Sequence, residues 1–291
     1  MNSANTSPRF INREISWLSF NHRVLQEAAD TTNPLIQRMR FLGIFSNNRD
    51  EFFRIRVATV RRIASFQSKK KLLGNKTPHE LLHEIQNIVV KQQRKFEQVY
   101  TGLLNEMKQY NIHVVNETQL TEEQGKFVMN FYNERIRPIL VPIMLQYTRE
   151  FPYLRDEPIY FAVKLSKENE PGKTRYALLD LATEILPRFV VLPNIGEKKY
   201  IIILDDIVRY CLNDIFSFFD YDKAEAYTIK ITRDAELDID DDISKSFMEK
   251  MSLSLEKRKR GQPVRFVYDA SMPEDLLNYF QRRMRLGRED N

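Results

Sequence analysis

The sequence predicts two successive architectures, an all-helical bundle over residues 1–109 and an α+β domain over residues 110–291. Three observations predict this. Apolar residues recur at three- and four-residue steps as far as Gln109, the spacing of one helical face. After Asn111 the period shortens to compact runs rich in β-branched and aromatic residues, the composition of strands. Charge changes with period: residues 1–109 hold 18 Lys and Arg against 9 Asp and Glu, residues 110–291 hold 27 against 31, and the whole chain carries a net charge of +5.

The first nine residues lack periodicity and read as a loose tail. A first helix is expected over Ser16–Asp30, with Trp17 among apolar neighbours as a core or domain-junction anchor. Asn33-Pro34 opens a second helix as a cap followed by proline at the first helical position. Its stripe, Leu35, Ile36, Met39, Leu42 and Phe45, stops at Ser46-Asn47-Asn48 and resumes at Phe52, Phe53, Val57 and Val60. The break predicts a corner, with Asn48 as N-cap of a third helix over Arg49–Phe66 and Glu51 completing a capping box.

That corner admits two readings. In the first, Asn48 only caps. In the second, the free N–H groups and positive dipole end of the helix start, with Arg49, Arg54 and Arg56 beside them, suit an anionic ligand, and the Asn48 carboxamide suits the donor–acceptor edge of adenine. The basic loop Ser68–Lys76, with Lys69, Lys70 and Lys71, separates this helix from the longest one, which Thr77-Pro78 opens.

In the second domain, strands are expected at 112–115, 159–165, 176–179, 189–192, 200–204, 227–231 and 264–268. Helical patterns lie between them: one opened by the capping box Thr121–Gln124, others at about 205–217, 240–258 and 273–285. Strict βαβ alternation is missing, which argues for α+β.

No 18-residue apolar run and no export signal are present, so the cytoplasm is the expected compartment. A lone Cys211 in an apolar helix pattern reads as a small core residue. The positive excess of residues 1–109 fits a polyanion: nucleotide, polyphosphate, nucleic acid or an acidic lipid surface, so peripheral membrane association stays open. No recognisable nucleic-acid module accompanies the charge. His79 and His83 have the i, i+4 spacing of a metal pair, but no third ligand is evident. Asp238, Asp240, Asp241 and Asp242 lack the calcium-loop pattern and read as helix-start charges, matched by Lys257–Arg260 at the far end. No metal ligand is assigned. Neither a Walker loop nor a kinase glycine loop occurs among the eight glycines.

Several segments together carry a family resemblance: Ile15–Asn21, Arg23–Ala28, Asn33–Ile36, Arg40–Phe52, Thr174–Leu179, Pro187–Val190, Phe219–Asp222, Thr232–Glu236 and Pro263–Tyr268. From Phe10 onward the chain resembles the amino-terminal and head domains of bacterial polyphosphate kinase, the long-chain-synthesising type. The resemblance implies reversible transfer of the ATP γ-phosphate to a polyphosphate end, with ATP as substrate and Mg2+ serving the full enzyme without ligands in this chain. It also implies a homo-oligomer, dimer or higher, joined through the head domain. The family meets the ATP base with the second asparagine of Ser-Asn-Asn, which is Asn48 here; a leucine follows in the family where this chain has Arg49. Its phosphorylated histidine belongs to two further phospholipase-D-like domains, expected beyond Asn291, and none of His22, His79, His83 or His113 matches that segment. No catalytic residue is therefore expected in these 291 residues, and the chain is expected to be inactive alone. The alternative is a non-catalytic nucleotide- or polyanion-binding dimer.

Overall fold

The computed structural model describes residues 11–66, 76–156, 158–168, 170, 172–235 and 261–286. The expected loop 69–71, the helix over 240–258, the aspartates at 238–242 and the basic run 257–260 lie outside the described residues. The chain divides into two compact units, Met1–Glu106 with Arg233–Val264, and Met107–Thr232 with Arg265–Asn291.

The first unit is helical over its amino-terminal part. Helix α1 (Arg13–Ala29) starts three residues earlier than expected because Asn12 caps it, its side chain accepting from the Glu14 and Ile15 N–H groups. Helix α2 (Leu35–Glu51) follows a proline and runs straight through Ser46-Asn47-Asn48. It passes into a π-helical turn, Phe52–Val57, and then α3 (Ala58–Phe66). The long α4 (Pro78–Gln109) is opened by Thr77, whose hydroxyl accepts from Glu80 N–H while the Glu80 carboxylate accepts from Thr77 N–H. Leu18, Phe52, Val57, Leu81 and Ile85 form one apolar cluster, and Leu25, Ala28, Leu42, Phe45 and Leu103 a second. Burial of Phe45 and Phe52 is essentially complete, so truncating either to alanine would cost about 3–5 kcal/mol. Two polar links cross the bundle: Gln92 donates to the Leu18 carbonyl, and Arg38 to Ala28 O and Glu106.

Residues 233–235 and 261–262 are fastened within this unit. Asp234 N–H donates to Gln262 O, Arg233 to Gly261 O, Ala235 N–H to Arg54 O, and Arg62 pairs with Asp234 at 2.6 Å.

The second unit contains two sheets. Strands β1 (Ile112–Val115), β6 (Lys198–Ile203) and β5 (Phe189–Ile195) form a three-stranded sheet in that order, with β1 parallel and β5 antiparallel to β6. Strands β2 (Ile143–Met144), β4 (Arg175–Asp180), β3 (Tyr160–Ser166), β7 (Lys223–Arg233) and β8 (Pro263–Tyr268) form the other, in that order. All seven expected strands are present; β2 was too short to read. Helix α5 (Glu122–Phe131) carries the expected Thr121–Gln124 capping box. The helix expected at 205–217 is split into α6 (Leu204–Tyr210) and α7 (Leu212–Ile215), and the one expected at 273–285 is α8 (Glu274–Met284).

The central strand β3 alternates between two cores. Phe161, Val163 and Leu165 join a cluster with α5, α6 and the small sheet, while Tyr160 and Ala162 face Leu276 and Phe280 of α8. Burial on both faces explains its consecutive apolar residues Tyr160–Val163. Cys211 sits in the first of these cores, and burial pushes its thiol pKa up to about 12, as befits a core residue.

Candidate functional site

The corner expected at Ser46–Asn48 is not there. All three residues are helical, Asn48 stands one turn from the end of α2, and it caps nothing. With backbone donors used inside the helix, the anion site expected from a helix start is lost as well. Two features produced the misreading. The inward position between Phe45 and Phe52 is held by Arg49, a charged residue that interrupts the apolar count yet is only 6% exposed. Its guanidinium lies over the rings of Phe45 and Phe96 at 5.4 and 5.9 Å and donates to Gln93. Beyond it, the π turn places Phe52 and Phe53 together in the core, which no 3.6 period reproduces.

What replaces the corner is a polar link inside a helical hairpin. Asn48 Nδ2 donates to Asn21 Oδ1 at 3.1 Å, and Asn21 Nδ2 donates to Phe45 O at 3.1 Å. Asn21 is fully buried, so its carboxamide is fixed and in turn orients that of half-buried Asn48. No other partner of the Asn48 carboxamide occurs among the described residues. Trp17, the expected anchor, stacks on Phe52 one helical turn away, with centroids 4.6 Å apart.

The arginines expected to surround Asn48 separate into different roles. Arg49 is a core cation and cannot reach a surface ligand without unpacking. Arg54 lies 3.9 Å from Glu51, and Arg56, half-buried, pairs with no carboxylate among the described residues. His79 and His83 are exposed on α4, with His83 Nδ1 3.1 Å from Asn87, and His113 stacks on Tyr200. Among the described residues no group of three or more His, Cys, Asp or Glu is arranged to hold a metal.

The second unit contains a cavity of about 510 Å³ that the sequence did not advertise, with Asn116, Glu117, Asp206, Arg209, Glu225 and Asp269 among its walls. Arg209 lies over the Phe161 ring at 4.7 Å and donates to Asp206 and Thr228, both at 2.8 Å. Burial, reinforced by Glu117, outweighs the opposing pull of Arg209 and pushes the Asp206 carboxyl up to about 6. Four carboxylates to one guanidinium make this wall unsuited to phosphate. The i, i+3 spacing of Asp206 and Arg209 was its one sequence signal.

Comparison with known proteins adds a consistent picture. Residues 10–115 match the family model described as polyphosphate kinase N-terminal domain, and residues 123–291 the one described as polyphosphate kinase middle domain. The polyphosphate kinase of Vibrio vulnificus (strain YJ016) is 43% identical over 288 residues, covering 97% of this chain and 40% of that protein. The polyphosphate kinase of Escherichia coli (strain K12) is 42% identical over 287 residues, covering 97% and 41%. The crystal structure of polyphosphate kinase from Porphyromonas gingivalis superposes with a TM-score of 0.79 at 30% identity, over 98% of this chain and 39% of that one. The chain thus spans about two-fifths of the length of these relatives.

Proposed function

This chain belongs to the polyphosphate kinase family, and from that premise we propose that it supplies the nucleotide-base contact of an ATP–polyphosphate phosphotransferase. The reaction lengthens a polyphosphate chain by one phosphate at the expense of ATP, and runs in both directions. One observation carries the reading: the Asn48 carboxamide is oriented by Asn21 while its carbonyl and second N–H have no partner among the described residues. An acceptor and a donor side by side complement adenine, whose N6–H donates and whose N7 accepts. The test leaves the protein intact and changes the ligand. Replacing N7 by carbon in 7-deaza-ATP should weaken binding measured by calorimetry, within the roughly 1–3 kcal/mol of a bidentate base contact. Asn48→Ala should erase the difference between ATP and 7-deaza-ATP. Equal affinity for the two nucleotides in the unsubstituted chain would remove Asn48 from the base site.

Covalent transfer needs an activated nucleophile, and we assign the phosphorylated histidine to the portion of the family this chain does not span. Mg2+ travels with the nucleotide in this scheme. Incubated with γ-labelled ATP and Mg2+, the chain alone should acquire no acid-labile label; stoichiometric labelling abolished by changing one of its four histidines would refute the assignment.

A second copy of the chain is the partner proposed for the second unit. Phe189 and Val191 on edge strand β5 are 63% and 66% exposed, and the cross-strand register places Ile203 and Ile201 opposite them on the same face. An apolar edge of this kind in a soluble domain calls for a cover. Val191→Glu should shift the sedimentation of the chain toward the monomer if this face joins copies.

A further inference from the structure

We infer that Phe20 is the ring on which the adenine base stacks beside Asn48, with Ile44 forming the neighbouring apolar wall. This deepens the base-site reading and rests on it. The helical register carries the argument. Trp17 meets Phe52 and Asn21 meets Asn48, so four residues forward along α1 correspond to four residues back along α2 and its π extension. The two segments therefore run antiparallel in step, and Phe20 is level with Asn48. Each residue advances about 100° around a helix. Phe20 precedes Asn21, and Ile44 precedes Phe45, the two residues that bond across the seam. One step back from the seam in two antiparallel helices turns to the same side of the pair. Asn48, four residues after Ile44, lies about 40° from it around α2 and shares that side.

Exposure marks the same place. Phe20 is 61% exposed and Ile44 48%, although both belong to helices whose other large apolar residues nearby, Leu18, Leu42 and Phe45, are buried. A phenyl ring left in water beside a fixed carboxamide offers the two elements of purine recognition, a flat apolar surface and a hydrogen-bonding edge. A base lying against Phe20 would present its rim to Asn48.

Calorimetric titration of the chain with ATP and with base-free ribose 5-triphosphate tests this. Phe20→Ala should weaken ATP binding about tenfold or more, the scale of losing one base–aromatic stack, while Phe20→Trp keeps it and Phe20→Leu falls between. None of the three should change the affinity for ribose 5-triphosphate. An affinity for ATP within twofold of the unsubstituted chain in Phe20→Ala, with Asn48→Ala still impaired, would overturn the stacking role and leave Asn48 in place. Loss in Phe20→Ala with Asn48→Ala unaffected would keep the stack and remove Asn48. Equal weakening of ATP and ribose 5-triphosphate by Phe20→Ala would overturn stacking, and equal affinity of the unsubstituted chain for both ligands would overturn both contacts. Phe20→Leu retains apolar bulk and separates loss of the ring from loss of folding.

Discussion

The link between Asn21 and Asn48 can be measured as a free energy. In Asn48→Ala the buried Asn21 Oδ1 loses its donor, and an unsatisfied buried acceptor costs about 1–3 kcal/mol. Alanine is the better helix former, which returns up to about 0.7 kcal/mol, so the single substitution should lower stability by roughly 0.5–2 kcal/mol. Asn21→Ala removes both hydrogen bonds and leaves a small void, a loss of about 2–3 kcal/mol. Once Asn21 is gone, Asn48→Ala sacrifices no buried partner and keeps only its propensity gain. The cycle should therefore show a coupling of about 1–3 kcal/mol. Urea unfolding followed by the fluorescence of Trp17, the sole tryptophan, reports on the first unit, because that ring stacks on Phe52 one turn from Asn21. Additivity within about 0.3 kcal/mol would mean that the buried carboxamide does not hold Asn48, and the preorganised base site would lose its support.

Three further outcomes concern other parts of the molecule. The Asp206 carboxyl, raised by burial from 3.8 to about 6 in the folded state, binds its proton more tightly there than in the unfolded chain. Its contribution to stability is therefore complete below about pH 4 and is lost as pH rises through 6, so Asp206→Asn should stabilise the chain at pH 7 relative to pH 4; a difference in melting temperature that does not change with pH would refute this. A β-carbon on Gly261 would stand 2.4 Å from the Asp234 carbonyl oxygen, so Gly261→Ala should cost about 1–3 kcal/mol in urea melts. Gly102→Ala on α4, where no atom lies within 4 Å, should instead gain about 0.5–1 kcal/mol.

The strands were legible because their runs are nearly uniform in chemistry: Tyr160–Leu165 is apolar except for Lys164, and both faces of β3 are indeed covered. Caps were legible where a threonine precedes a proline, as at Thr77-Pro78, or stands three residues before a carboxamide, as at Thr121–Gln124. Reading failed where chemistry and position disagree. Arg49 is charged yet occupies a core position, so the apolar stripe seemed to end; Asn47 and Asn48, residues that favour caps, reinforced the error. The expected surroundings of Asn48 are not those of the structure: it is held by a buried asparagine 27 residues away, a contact that no local pattern encodes. Arg62–Asp234 is a still longer reach, joining two segments 172 residues apart.

The π turn at Phe52–Val57 makes chain length, rather than residue identity, the quantity under constraint in this stretch. Removing one residue from it would let α2 and α3 fuse as a regular helix, but everything downstream would then be rotated by about 100° and drawn back about 1.5 Å. Val60 and Ala64 would swing out of the core, and Arg62 would turn away from Asp234. Substitutions at exposed or half-exposed points of the turn are thus mild events, whereas a one-codon deletion is a frameshift in three dimensions. The extra residue also divides responsibilities along one continuous rod: the part before it can be tuned for the Asn48 face, and the part after it for holding Asp234, without either dictating the helical phase of the other.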